Sequence, residues 1–189
     1  MQNNAHLGET REHRTNRFQD GHPIETIDTL INSIHNYFNN EIKATTQVTP
    51  HQTSLMILGI HAVALTVAWG FWGEKGKAGY KHFLENFVDG DTPDTKFSMI
   101  ADEIHQWRNV LAHRWLSVSG HTFGYDYTLA EGWAKNDGIT LLNPKIYLEH
   151  YLKAFGHNGR IYKFQEILTT EDLLQEAKTR ILSQYLEEN

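Results

Sequence analysis

Residues 55–72 read LMILGIHAVALTVAWGFW and carry no Asp, Glu, Lys or Arg. Their reading decides the fold. A run of this length touches the lower limit for a membrane span, roughly 18 apolar residues. Its interruptions favour a different reading. His61 and Thr66 break the apolar surface, and Gly59, Ala62, Thr66 and Gly70 form a narrow stripe suited to close helix contact. No second segment of this kind occurs. The spacing therefore predicts the central helix of a bundle, over about 50–72, with a membrane-associated helical protein as the weaker alternative.

Working outward, a first helix is expected over roughly 24–46. Pro23 suits its first turn, and Ile24, Ile27, Leu30, Ile31, Ile34 and Phe38 recur at helical spacing. GEKGKAG (73–79) reads as a turn. A third helix over about 80–89 places Tyr80, Phe83, Leu84 and Phe87 on one face. DGDTPD (89–94) breaks it, and a fourth helix covers about 95–117. The period then changes. TFGYDYTL (122–129) and GITLLN (138–143) read as short strands, with KNDG (135–138) as the turn signal between them. Pro144 opens a helix that Gly156 closes, and a last helix starts near 170 with Thr169 and Asp172 as a capping pair. Its apolar face is Leu173, Leu174, Ala177, Ile181, Leu182 and Tyr185. The expected fold is mostly α, a helical bundle with a small β-hairpin excursion near 122–143. Residues 1–22 form a polar arm and 23–189 a single domain with a C-terminal helical extension.

Bulk properties narrow the function. The chain has 189 residues, 40% hydrophobic content and a formal net charge of −6, so a globular domain is expected without a general cationic coat for nucleic acid. It has no cysteine, which removes disulfides, thiolate zinc sites and cysteine nucleophiles. The first twenty residues lack the apolar core of a signal peptide, so a cytoplasmic location is the default.

The fourth helix carries the chemistry, in ADEIHQWRNVLAHRW (101–115). At about 100° per residue, Ile104, Trp107, Leu111, Arg114 and Trp115 fall within roughly 60° of Ile100 and form the core side. His105, Asn109 and Ala112 lie opposite, and Arg108 and His113 flank that sector about 140° apart. Asn109 and His113 are an i,i+4 pair, and small Ala112 admits another surface. Two copies of this helix meeting across a twofold axis bring arginine and histidine together. Histidine exchanges protons near neutral pH, and arginine grips phosphate oxygens. That pairing suits RNA cleavage by the neighbouring 2′-hydroxyl with no metal. The spacing alone is a weak signal, since Arg17 to His22 repeats it in the polar arm.

RNVLAH (108–113) resembles the R-polar-x-x-x-H signature of the HEPN superfamily, and the helical order over about 24–155 is similar too. HEPN domains are all-α bundles, usually dimeric, and many are metal-independent endoribonucleases of toxin–antitoxin and defence systems. The resemblance implies a homodimer acting on RNA, with Arg108, Asn109 and His113 catalytic in a composite site across the dimer. It further implies a partner protein of antitoxin or nucleotidyltransferase type, no cofactor and no membrane. His105 and Arg114 are candidate RNA-binding residues beside the motif. The alternative is a non-catalytic HEPN-like module that binds a nucleotide, an RNA or a protein.

The remaining polar groups have plainer readings. The stripe His105–Asn109–His113 lacks a carboxylate and is thin for zinc. His61 reads as a satisfied core histidine. Trp69, Phe71 and Trp72 read as core. Tyr125, Tyr127 and Trp133 suit base stacking and hairpin packing equally. Asp89, Asp91 and Asp94 read as a solvated loop, and Glu171, Asp172, Glu187 and Glu188 as helix capping and surface charge.

Overall fold

The computed structural model describes residues 21–48, 53–90, 95–113 and 122–186, with side chains described for 21–44, 53–90, 95–112 and 122–184. It is mostly helical with one small sheet, as the periodicity predicts. Helix α1 (Pro23–Ser33) starts where its sequence dictates. The His22 side chain accepts from the chain ahead, the Glu25 carboxylate accepts from the His22 N–H, and Pro23 fills a position with no intrahelical N–H partner. A π-helical turn, Ile34–Phe38, leads into α2 (Asn39–Val48).

Helix α3 (Thr53–Trp72) contains the apolar run 55–72. Among the described residues it is the one helix long and apolar enough to cross a membrane, and 56% of that window is buried inside the fold. Helix α2 and the helices Gly76–Phe83, Ala101–His113 and Glu171–Leu186 all pack on it. Its small residues divide the work. A Cβ on Gly59 would press on Ile42, and one on Gly70 would come within 2.9 Å of Ile181. Ala62, in contrast, is exposed and contributes to no such contact. Arg180, from the helix Glu171–Leu186, closes the C-terminal end of α3, donating from Nε to the Gly70 carbonyl at 3.1 Å and from Nη2 to the Phe71 carbonyl at 2.7 Å.

Helix α4 (Gly76–Phe83) begins inside the segment expected to be a turn, and a π-helical turn, Leu84–Val88, extends it. The expected solvated loop is also corrected at Asp89. Its carboxylate is buried and accepts the Ser98 N–H at 3.2 Å, at the start of a 3-10 turn, Phe97–Ile100. Asp91 and Asp94 lie outside the described residues. Helix α5 (Ala101–His113) follows directly.

The β excursion has three strands rather than two: β1 (Phe123–Tyr125), β2 (Trp133–Asn136) and β3 (Ile139–Leu142), in the order β1-β3-β2. The hairpin is β2–β3, turning on Asp137 (φ 48°) and Gly138 (φ 77°), the positive-φ pair of a tight two-residue loop. β1 pairs with β3 in parallel, Phe123 opposite Thr140. WAKN escapes a pattern search because it lacks an apolar–polar alternation.

Asn143 then caps α6 (Pro144–Ala154). Its Oδ1 accepts from Lys145 and Ile146, and its Nδ2 donates to the carbonyls of Tyr127 and Leu129. A 3-10 turn, Arg160–Glu166, leads to α7 (Glu171–Leu186). Thr170, not Thr169, caps α7, accepting the Leu173 N–H at 3.3 Å. Leu174, Ala177 and Ile181 are buried there, but Leu173 is exposed. Tyr185's side chain, Glu187 and Glu188 lie outside the described residues. So do residues 1–20 of the polar arm, whereas the Gly21 carbonyl accepts from the buried Lys178 ammonium.

Candidate functional site

Helix α5 is held on three sides. Ile104 and Leu111 are buried in the core. Trp107 donates from Nε1 to the Tyr125 hydroxyl of β1 at 2.6 Å. Asp102 pairs with Lys77 of α4 at 2.7 Å, and Glu103 pairs with Lys135 of β2. These ties fix the rotation of the helix and hence the direction of its polar residues.

Tyr125 also stands 3.4 Å from the Ser54 hydroxyl, and Tyr127 is hydrogen-bonded to Thr53. Both tyrosines therefore anchor the sheet to α3, and Tyr125 packs edge-on against Trp107. Hairpin packing is the reading that the geometry favours for these two.

Of the sequence-predicted site residues, Arg108 and Asn109 are half-buried on α5, and Arg108 donates from Nη1 to Asn109 Oδ1 at 2.9 Å. Arg108 forms no ion pair among the described residues. Ala112 is exposed, as the helical angles predict. The backbone of His113 ends the described part of α5, while its side chain and Arg114 lie outside the described residues.

His105 departs from expectation. Its position on the wheel places it away from the core, yet its Nδ1 lies 2.9 Å from Nε2 of His61 on α3. The reason is local. Ala101, one turn earlier, is small and buried, which marks that edge of α5 as turned toward the core. The two rings lie 5.0 Å apart, and His61 also packs on the Tyr80 ring at 4.4 Å.

His61 is likewise not the satisfied core histidine that its surroundings suggest. It is 0% exposed, and its Nδ1 has no hydrogen-bond partner. Burial, then His105 and Arg108, hold its pKa down to about 3. Burial, then Arg108, also lowers that of His105; Asp102 acts against this and Lys77 with it. Both rings are therefore neutral at pH 7. One signal in the sequence points to this pair. A single imidazole in an otherwise apolar helix calls for a polar partner.

Among the described residues, no group of three or more His, Cys, Asp or Glu is placed to hold a metal ion. A cleft of about 770 Å³ opens elsewhere, between the Leu84–Val88 turn, α6 and the 3-10 turn, with Asp89, His150, Lys153, Arg160 and Lys163 on its walls. No residue of α5 lines it. The described part of the α5 site is a helix face with charged and neutral donors. Comparison with known proteins finds no matching family model, no matching curated protein and no matching solved structure.

Proposed function

We propose that the protein is a HEPN-like, metal-independent endoribonuclease that works as a homodimer, in the manner of a toxin or defence effector. The observation that carries this reading is the state of Arg108. It is half-exposed, steadied by Asn109 and unpaired with any carboxylate among the described residues, beside a neutral histidine on the same helix. An arginine held in this way is poised for an incoming anion.

In the twofold arrangement, exposed Ala112 lets two α5 helices approach, and each Arg108 meets the other copy's His113. One His113 imidazole takes the proton of the 2′-hydroxyl as the O2′–P bond forms. The other copy's His113, protonated, gives a proton to O5′ as the P–O5′ bond breaks. Arg108 balances the charge that builds on the phosphoryl oxygens, and Asn109 keeps the guanidinium in place. The products are a 2′,3′-cyclic phosphate and a 5′-hydroxyl, and no water is consumed.

The test is RNA cleavage with metals chelated. Arg108→Ala and His113→Ala should each lower the rate by at least about 100-fold while the dimer persists. Parental rates from both variants would sink the mechanism. RNA bound but never cut by the parent protein would leave a non-catalytic RNA-binding module.

A further inference from the structure

His61 and His105 are absent from the mechanism above, yet they are the most unusual polar contact in the core. A buried histidine on an apolar helix is turned toward a half-buried histidine on the helix that carries Arg108. Which proton lies between them decides what the outer ring can do.

Two neutral arrangements satisfy the 2.9 Å contact. In one, His105 Nδ1–H donates to His61 Nε2, and His61 must then carry its proton on Nδ1. That leaves a buried N–H with no acceptor. In the other, His61 Nε2–H donates to His105 Nδ1, and the orphaned atom is only a lone pair. Buried N–H groups without partners are the rarer and costlier case. The second arrangement therefore prevails, and the tautomer of His105 follows from it: the bond at Nδ1 puts the proton on Nε2. His105 Nε2 has no partner among the described residues and is not sealed from solvent.

We infer that His105, fixed as an Nε2–H donor by His61, joins Arg108 in a phosphate-oxygen subsite on the face of α5. The two residues are three apart, about 60° around the helix, so both donors reach one tetrahedral anion. Arg108 supplies charge and His105 supplies a neutral, directed donor. His61 never touches the ligand; it is a positioning residue. The charged groups around His105 leave the arrangement intact. Asp102 is engaged by Lys77, Arg108 repels a second positive charge on the ring, and the Tyr80 ring covers His61. The subsite rests on the ribonuclease reading for its biological ligand, the RNA backbone, but not for its geometry.

The experiment uses the full chain, labelled with nitrogen-15, at pH 7. Long-range nitrogen–proton spectra report the tautomer of each imidazole. The probes are inorganic phosphate and a 2′-deoxy oligonucleotide, which cannot be cleaved. His105 should be in the Nε2–H form, and phosphate should shift its Nε2 resonance. His105→Ala should weaken oligonucleotide binding about tenfold or more, and His105→Gln, which keeps a donor, should recover part of it. His61→Gln should leave the fold intact and blur the His105 tautomer. An Nδ1–H form of His105, no phosphate shift in the parent, or unchanged binding by His105→Ala would overturn the subsite. If phosphate binds as described but the parent cuts no RNA, the ribonuclease reading falls and the subsite stands. If RNA is cut and His105→Ala binds and cuts like the parent, the subsite falls alone.

Discussion

His61 makes stability depend on pH in a direction that can be worked out. Its pKa in the fold is about 3, below the ordinary value of 6.5 that it regains on unfolding. Between those values the unfolded chain binds a proton that the fold refuses. Stability from this group is complete above pH 6.5 and falls as the pH drops, by about 1.4 kcal/mol per unit. The lowered pKa of His105 acts in the same direction. Urea unfolding at pH 7, 6 and 5 should show the loss, and His61→Met should remove most of the slope. An equal slope in that variant would show that other groups carry it. At this scale the sequence was only half legible. Arg108, Asn109 and Ala112 stand where a helical wheel puts them. His105 does not behave as its angle suggests, because the wheel knows nothing of how near a neighbouring helix comes. Buried Ala101, a residue with no chemistry of its own, lies on the same edge one turn earlier.

At the scale of elements, the helix ends and one side-chain joint hold the site-bearing helix in place. The Asn143 side chain makes four hydrogen bonds, two to the α6 N-terminus and two to the loop after β1. Asn143→Ala should cost about 2–3 kcal/mol, since it removes a cap and takes the donor from two loop carbonyls. Chemical denaturation reads this directly. Tyr125→Phe takes the acceptor from the Trp107 indole and should cost about 1–2 kcal/mol. It should also slow RNA cleavage by loosening α5 against the sheet. A variant that unfolds like the parent and cuts RNA at the parental rate would separate the sheet from the site. Local signals served well here: Pro23, the KNDG turn and Pro144 all mark element ends correctly. The parallel β1–β3 pairing was not legible. It joins residues some seventeen apart through a connection that leaves no periodic trace, as in Phe123 opposite Thr140. Asp89 misled for a related reason. A carboxylate in a Gly-, Pro- and Asp-rich stretch looks solvated until the backbone that it caps is known.

For the whole molecule, the ribonuclease reading needs two chains. Ala112 is exposed on the motif face, so Ala112→Arg should block the approach of a second α5 without disturbing the core. Sedimentation should then show a monomer with an unchanged circular dichroism spectrum, and RNA cleavage should vanish with the dimer. Cleavage by that monomer would rule out the shared site. The mostly helical class was readable from periodicity, and the central place of 55–72 from its small and polar interruptions. What one chain's sequence does not contain is the surface that a second copy presents.

The Arg180 clasp on α3 also sets a schedule. The carbonyls of Gly70 and Phe71 receive their donors from a residue 110 and 109 positions later. At about 5–20 residues per second, a ribosome delivers that arginine roughly 5–20 s after the helix it closes. Through that interval the side of α3 that α7 covers in the fold has no such cover. Ile181, which fills the notch at Gly70, arrives in the same late turn. The nascent chain is thus most prone to sticking between those two events, and a chaperone that shields apolar helices would find its substrate there.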